Sequence, residues 1–400
     1  MVIKWDDLEA ANATLNAYTD FDTKAHFGDG PLENITIGVK ANIAVEGLPW
    51  TGGMNAYRDR VADQDAETVK RLRNAGAAII GSLNMEEAAL GAKTDNPFFG
   101  ATQNPHKIGF TPGGSSGGSG AAVAAGLCDV ALGTDTMGSV RVPAAYCGVY
   151  GLKPSRGAVS QDGLELCEPS LDTIGPIARS LETLETTSRV MIDFSTTQVI
   201  DNIVLLENLG EVECERAVLA AYENAKKILG ARATFSLPFP LTRVRFAGFI
   251  LSSLALANSL SDIVKNNPDG LSDHLRNLLT YGPKRGADDL AEDRDILDQV
   301  GAALVSAVGV HGAILLPTTP QAAFSHEDKA PANQADFTCL ASIAGLPAIT
   351  IPAGWNEYGM PVGVQLVGAT GNEAGLFELA RKLDDKLDAY RPPEAFMGKS

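Results

Sequence analysis

The sequence predicts an α/β fold, because strand-like and helix-like segments alternate along it. Residues 35–45 show the period-two alternation of a strand. Asp65 is placed to cap a helix that runs to about Asn74 and stops at Gly76. The apolar residues 77–81 then predict a short buried strand. A strand, a helix and a second strand in this order predict a right-handed βαβ unit and a parallel sheet.

Later segments continue this alternation. A short helix is predicted at residues 83–91, a helix of small residues at 119–126 and a strand at 127–132. Residues 190–310 are predicted to be mostly helical and carry no motif. Near the C-terminus we expect three apolar strands and an amphipathic helix, at residues 312–316, 348–352, 362–367 and 373–387. Since no linker-like break separates the strand groups, residues 1–400 are expected to form one domain, with 190–310 as a helical insertion.

The composition excludes several classes of protein. The net charge is −17 over 400 residues, so a nucleic-acid backbone or an anionic membrane surface would be repelled as the main partner. No apolar run reaches the ~18 residues that a membrane span needs. The cysteines are odd in number and irregularly spaced, which predicts free thiols in a reducing compartment and hence a cytoplasmic protein. They are Cys128, Cys147, Cys167, Cys214 and Cys339.

A glycine- and serine-rich segment at residues 111–120 is the first candidate for chemistry. Alone it is typical of a flexible linker, but it leads directly into the uncharged segment 121–126. That context favours a buried loop whose N–H groups need partners. The segment lacks the spacing of a phosphate-binding P-loop.

The same segment matches the G-x-S-x-G nucleophile elbow of α/β-hydrolases, with Ser115 as the nucleophile of an esterase-like site. An elbow needs a strand immediately before the serine, whereas residues 104–112 are typical of a loop. It also needs a histidine, for which the candidates are His274, His311 and His326.

A second cluster surrounds Ser139 within residues 133–143. A tight glycine turn at a strand end can expose the Ser139 hydroxyl and direct neighbouring N–H groups at one point. Converging donors of this kind stabilise a developing oxyanion. Taken alone, the same pattern is also typical of a surface turn. The candidate donors are Thr136, Met137, Gly138 and Ser139.

Lys40 lies inside the predicted strand 35–45, where lysine is unusual. It is either a lysine that protects a sheet edge or reaches solvent, or a buried amine whose pKa is lowered by desolvation so that it acts as a base. No histidine lies within the two serine clusters. A serine nucleophile there would need another base, and a Ser–Lys arrangement is known chemistry.

These three elements, in this order, resemble the amidase signature family. The main pieces are residues 38–40, 112–119 and 133–143, and the resemblance covers about 31–180 and 312–368. It implies a large, mixed and twisted central sheet covered by helices on both faces. Supporting pieces lie at residues 84–91, 104–105, 151–154, 170–179, 317–320, 345–348 and 361–368.

The resemblance implies a role for each matched residue. Ser139 is the expected nucleophile, and Ser115, after a cis Gly114–Ser115 peptide, is expected to relay its proton to Lys40. The expected oxyanion donors are the N–H groups of residues 136–139. No metal ion or cofactor is implied. The expected supporting residues are Ser116, Asp135 and Arg141.

The chain departs from the family pattern at positions that bear on the substrate. Ala41 stands where aspartate is usual, Met137 stands where glycine is usual, and Ala341–Ser342 stands where the family often has asparagine. None of these changes removes an expected catalytic residue. The Met137 side chain is expected to narrow or reshape the acyl pocket.

The resemblance implies an amidohydrolase that cleaves the C–N bond of a small or medium amide, with carbamoyl, urea-like and carbamate compounds as further candidates. One alternative is the glutamine-hydrolysing component of a tRNA-dependent amidotransferase, which needs partner chains. Another is an inactive binding protein on the same fold. Family members are often homodimers. The pocket walls are expected from residues 190–310 and from the loops at 312–345, with Phe235, Phe239, Arg243, Arg245 and Phe246 as candidate lining residues.

Overall fold

The computed structural model of this protein describes residues 3–194 and 197–396. Among these residues the helices, numbered α1 to α12 in chain order, are Trp5–Leu15, Glu67–Asn74, Gly117–Ala124, Arg141–Tyr146, Leu181–Met191, Arg216–Leu229, Leu241–Ser259, Ser261–Asn266, Asp273–Leu278, Ala287–Val308, Thr338–Ala344 and Glu373–Leu387. The strands, numbered β1 to β13, are Tyr18–Phe21, Thr36–Lys40, Ala78–Leu83, Asp95–Asn96, Gly100–Ala101, Val130–Asp135, Tyr150–Lys153, Thr173–Ala178, Asn202–Leu206, Ala233–Phe235, Gly312–Pro317, Ala348–Trp355 and Pro361–Gly368.

Eleven strands of the described chain form one sheet in the order β1-β3-β2-β6-β8-β7-β12-β13-β11-β9-β10. Strands β3, β2 and β6 pair in parallel, as do β11, β9 and β10. Strands β8, β7, β12 and β13 lie between these two groups, and every pairing from β6 through them to β11 is antiparallel. The mixed central sheet is therefore confirmed, and it joins the N-terminal and C-terminal strands into one structure.

Hydrophobic side chains pack on both faces of the sheet. In β3, Ile79 belongs to one buried cluster, while Ala78 and Ile80 belong to another, because successive strand side chains point to opposite faces. Residues of α2, α5, α6 and α12 complete the first cluster, and residues of α1 and α3 complete the second. The prediction that helices cover both faces is confirmed.

The N-terminal βαβ unit is present as β2, α2 and β3, but β2 is shorter than predicted. It ends at Lys40 because the Ile43 N–H donates to the Lys40 carbonyl at 2.9 Å and turns the chain. Asp65 does not cap α2, whose N-cap is Ala66 without a side-chain cap. The Asp65 carboxylate instead accepts from the Glu46 N–H at 2.9 Å.

Two further boundaries differ from the prediction. Residues 83–91 form no α-helix but a short 3₁₀ turn at Glu87–Ala89, in which Ala88 and Ala89 have φ of 51° and 57°. These left-handed conformations are incompatible with a continuing right-handed helix. Strand β6 begins at Val130 instead of 127. The C-terminal strands and the final helix Glu373–Leu387 are confirmed.

The predicted helical region 190–310 is partly sheet. Strands β9 and β10 fall within it and extend one edge of the central sheet by parallel pairing. Periodicity missed them because β9 is only five residues long and β10 only three. The later part of the region, α7 to α10, is helical as expected.

Among the described residues, no helix is both long enough and apolar enough to cross a membrane.

Candidate active site

Lys40 is the last residue of β2, which lies between β3 and β6 in the sheet interior. Its side chain is fully buried. The side-chain nitrogen Nζ donates to the Ser115 hydroxyl at 2.7 Å and to the Thr134 hydroxyl at 2.7 Å. An interior strand and a buried amine exclude the interpretation of Lys40 as a sheet-edge or solvent-reaching lysine.

Burial lowers the pKa of Lys40 to about 7, although the nearby Asp172, Cys167 and Asp135 act in the opposite direction. The desolvation cost falls on the charged ammonium and favours the neutral amine. A neutral amine near pH 7 can accept a proton, so the lysine has the protonation behaviour that a general base needs.

Ser115 follows a loop and precedes α3, and the Gly114–Ser115 peptide is cis, as the resemblance implied. The serine is fully buried, and its carbonyl accepts from the Glu86 N–H at 3.0 Å. A Cβ on Gly114 would lie 2.9 Å from the backbone of Ala92 and Lys93, so only glycine fits there. This tight loop holds the Ser115 hydroxyl against Lys40.

The nucleophile elbow of α/β-hydrolases is not formed at Ser115. The hydroxyl is buried, a loop and not a strand precedes it, and its hydrogen-bond partner is Lys40. His326 bonds the Thr102 carbonyl through Nε2 at 2.9 Å, and His311 is exposed. Within the described chain no histidine bonds Ser115 or Ser139. The structure therefore does not support the esterase-like alternative with Ser115 as the nucleophile.

Ser139 lies in the turn between β6 and α4 and is only 9% exposed. Its carbonyl accepts from the Ser116 N–H at 3.3 Å, which joins the two serine loops. The Ser116 hydroxyl also bonds β6, donating to the Thr134 carbonyl at 3.3 Å. The Ser139 hydroxyl makes no hydrogen bond to a described residue, so the proton path from Ser139 to Ser115 stays a prediction.

The four residues of the turn at 136–139 line one cavity. In the described structure their backbone N–H groups donate to no other residue. Gly138 has φ of +136°, and a Cβ there would lie 2.2 Å from the Thr338 hydroxyl. Thr338 donates to the Met137 carbonyl at 2.7 Å and so fixes the turn. Unpaired N–H groups in a rigid turn are suited to binding an oxyanion.

Asp135 and Arg141 form a fully buried ion pair behind this turn. Arg141 donates to both carboxylate oxygens, at 2.8 and 2.9 Å, and its other nitrogen contacts are Gln365 and Ser342. Burial by itself would raise the pKa of Asp135, but the adjacent Arg141 lowers it below the usual range. The Val140 N–H donates to Asp135 at 3.3 Å, so the pair braces the start of α4.

Two contributors to the site were not predicted from the sequence. Thr134 is the second partner of Lys40, and Asp172 accepts from the Thr136 hydroxyl at 2.5 Å. Burial raises the pKa of Asp172 to about 6. Asp172 lies in segment 170–179, which carried part of the resemblance, but nothing local indicated that it approaches the turn at residues 136–139.

A cavity of about 190 Å³ opens on Ser139 and the rest of the turn at residues 136–139. One wall is a face of α7, with Arg245, Phe249 and Ser252 at helical spacing. The helix approaches the turn at Gly248, where a Cβ would lie 3.0 Å from the sulfur of Met137. The Met137 side chain therefore fills space between the turn and α7, as its departure from the family pattern led us to expect.

Of the five candidate lining residues from the middle of the chain, the structure brings one to the cavity, Arg245. Phe235 and Phe239 pack against a buried cluster. Arg243 pairs with Asp293 at 2.6 Å, and the Phe246 ring lies near that of Phe249 with the two planes tilted by 39°. Residues 3–194 and 197–396 contain no group of three or more His, Cys, Asp or Glu side chains placed to hold a metal ion.

The lowered pKa of Lys40 predicts a pH dependence. Below pH ~7 the amine is protonated and cannot accept a proton, so kcat/KM should rise as the pH increases through about 7 and then level off. The measurement is the rate of the catalysed reaction between pH 5 and 9 after subtraction of the buffer-catalysed rate. A rate that is flat across this range, or that falls as the pH rises, would contradict Lys40 as the base.

The family model described as Amidase matches residues 5–229 and 259–377. A glutamyl-tRNA(Gln) amidotransferase subunit of Prochlorococcus marinus (strain NATL2A) is 31% identical over 90% of this chain and 85% of its own. The subunit of the same name from Natronomonas pharaonis is 35% identical over 92% of this chain and 99% of its own.

Solved structures also resemble the chain. One, described as "An unexpected vestigial protein complex reveals the evolutionary origins of an s-triazine catabolic enzyme", is 27% identical with a TM-score of 0.90. It covers 97% of this chain and 94% of its own. The similarity thus extends over the strands, the serine loops and the helices that surround them.

Proposed function

Because the chain belongs to the amidase signature family, we propose that it hydrolyses the C–N bond of a small amide through an acyl-enzyme on Ser139, with Ser115 and Lys40 as proton relay and base. The observation that carries this proposal is the fully buried Lys40 amine, bonded to Ser115 at 2.7 Å beside a turn whose N–H groups donate to no described residue. The family acts on non-peptide C–N bonds.

In the proposed acylation, the Ser139 oxygen attacks the amide carbonyl carbon while its proton passes through Ser115 to neutral Lys40. The carbonyl oxygen becomes an oxyanion that the N–H groups of residues 136–139 stabilise. The C–N bond then breaks, and the proton returns from Lys40 through Ser115 to the leaving nitrogen. Ammonia or an amine leaves, and the acyl group stays on Ser139.

Deacylation repeats the same proton path with water. Lys40 accepts a water proton through Ser115 as the water oxygen attacks the acyl carbon. The ester bond to Ser139 breaks, the serine regains its proton, and a carboxylic acid leaves. Every proton taken up is returned, so the cycle consumes only the amide and water.

We propose a small substrate because the cavity has a volume of about 190 Å³, below the ~300–1,000 Å³ of pockets for drug-sized ligands. The middle of the chain is proposed to set this size through α7. The family model leaves residues 230–258 unmatched, and this gap contains the α7 residues that line the cavity. This wall of the cavity thus comes from a segment that the family model does not match.

A second candidate is the glutamine-hydrolysing component of an amidotransferase, which the names of the curated relatives favour. Such a component works with partner chains. Met137, within the turn at residues 136–139, departs from the family pattern and argues against assigning the relatives' substrate to this chain. A homodimer is likewise proposed from the family resemblance alone.

The purified single chain separates the two candidates. We expect it to release ammonia from butyramide, a short amide without an α-amino acid group, in the absence of any partner. The measurement is enzyme-coupled ammonia detection against a heat-denatured sample, with glutamine tested in parallel. Ammonia release from glutamine alone, and only after partner chains are added, would favour the amidotransferase component.

A further inference from the structure

The cavity beside Ser139 contains one charged lining side chain among the described residues, Arg245 of α7. Its Nε donates to Asp336 Oδ1 at 2.5 Å. The two terminal nitrogens of the guanidinium donate to no described residue. One edge of the guanidinium is thus anchored, while its terminal nitrogens have no hydrogen-bond partner among the described residues.

Asp336 holds Arg245 from behind the cavity wall. Its side chain is fully buried and does not line the cavity. A buried carboxylate that engages one edge of a guanidinium orders the long arginine side chain before any ligand arrives, so less conformational freedom is lost on binding. Arg245 itself is 22% exposed, so it remains accessible from the cavity.

A second side-chain donor that bonds no described residue also lines the cavity. Gln334 accepts from the Tyr146 hydroxyl through Oε1 at 3.2 Å, while its amide nitrogen donates to no described residue. Most other lining residues are apolar or small. The unpaired side-chain donors of Arg245 and Gln334 would be matched by a ligand group that only accepts hydrogen bonds.

We propose that Arg245 determines substrate specificity by binding a carboxylate on the acyl part of the substrate, so that the substrate is the monoamide of a short dicarboxylic acid. This inference rests on the proposed amidohydrolase function. Arginine binds carboxylates through paired N–H donors, and the cavity of about 190 Å³ limits the acyl chain to a few carbons. If the substrate carried a neutral amide in place of the carboxylate, the N–H₂ group of that amide would face the N–H donors of Arg245 and Gln334.

Three amides of matched length test the proposal: succinamate, which carries a carboxylate, succinamide, which carries a neutral amide there, and butyramide, which carries a methyl group. For the wild type we expect kcat/KM for succinamate to exceed that for butyramide by about 100-fold, as losing a buried charge partner predicts. Arg245→Gln should remove about 100-fold of this ratio, and Arg245→Lys should remove about 10-fold.

The matched control is Arg243→Gln on the same helix. Arg243 pairs with Asp293 and does not line the cavity, so its replacement should leave the succinamate-to-butyramide ratio within about threefold. The proposal is overturned if Arg245→Gln leaves the ratio unchanged, or if the wild type prefers succinamide to succinamate. Butyramide hydrolysis without any carboxylate preference would refute this inference and leave the proposed function intact.

A binding measurement keeps the two proposals distinguishable. If no amide is hydrolysed, the proposed function fails, and calorimetric titration of succinamate into the full chain then decides the inference. Binding at least about 30-fold weaker to Arg245→Gln than to the wild type supports carboxylate recognition. Equal binding to the two proteins, or no binding to either, contradicts it.

Discussion

Replacing Ser139 with alanine should lower kcat for ammonia release by about 10⁴- to 10⁶-fold, because the only proposed nucleophile is lost. This corresponds to a rise in the activation barrier of ~5–8 kcal/mol. The residual rate should come from substrate binding and from the N–H groups of the turn, which the substitution retains. Steady-state ammonia release measures the loss.

The loss of activity in Ser139→Ala can be assigned to the missing hydroxyl only if this variant keeps the wild-type fold. The Ser139 side chain is small and makes no hydrogen bond to a described residue, so Ser139→Ala should melt within about 2 °C of the wild type in a thermal scan. Substitutions of His274, His311 and His326 by alanine serve as activity controls and should keep most of the activity. An inactive histidine variant beside an active Ser139→Ala would refute the mechanism.

Replacing Lys40 with methionine should lower kcat by about 10³-fold or more, because the proton acceptor for both half-reactions disappears. Methionine resembles lysine in length and is suited to a fully buried site. A loss of activity in Lys40→Met is therefore easier to interpret than one in Lys40→Ala, although we expect both variants to be inactive. Lys40→Arg is the sharper variant. It keeps a positive charge but cannot become neutral near pH 7, so it should be equally inactive if the base must be neutral.

A second buried lysine provides the matched control. Burial also lowers the pKa of Lys153 to about 7, but its amine donates to the Pro154 carbonyl at 2.7 Å and does not bond Ser115. Lys153→Met should therefore cost less than about 10-fold in kcat. If Lys153→Met were inactive and Lys40→Met active, the base would have been assigned to the wrong lysine.

The comparison of the two lysines shows what a sequence can and cannot identify. Both lie at strand ends and both are buried, but only Lys40 was singled out, because it stands inside an apolar strand-like segment and precedes the two serine clusters in the order typical of the family. The C-terminal helix Glu373–Leu387 followed from its periodicity. Asp65 was misassigned because its carboxylate finds a partner in another loop, which a local pattern does not reveal.

The proposed catalytic residues could be identified from the amino-acid sequence without the structure. Lys40, Ser115 and Ser139 stand in motifs whose order and spacing are typical of the family, and the βαβ unit follows from hydrophobic periodicity. These features are encoded by neighbours along the chain, so local patterns are sufficient to find them.

The surroundings of these residues depend instead on how the strands pair and the helices pack. Thr134 bonds Lys40 across adjacent strands, Asp172 reaches Thr136, and α7 brings Arg245 to the cavity. Each contact joins residues that are tens to hundreds of positions apart, so no local pattern contains it. The buried environment that lowers the pKa of Lys40 has the same origin, since desolvation is a property of the folded interior and not of any segment.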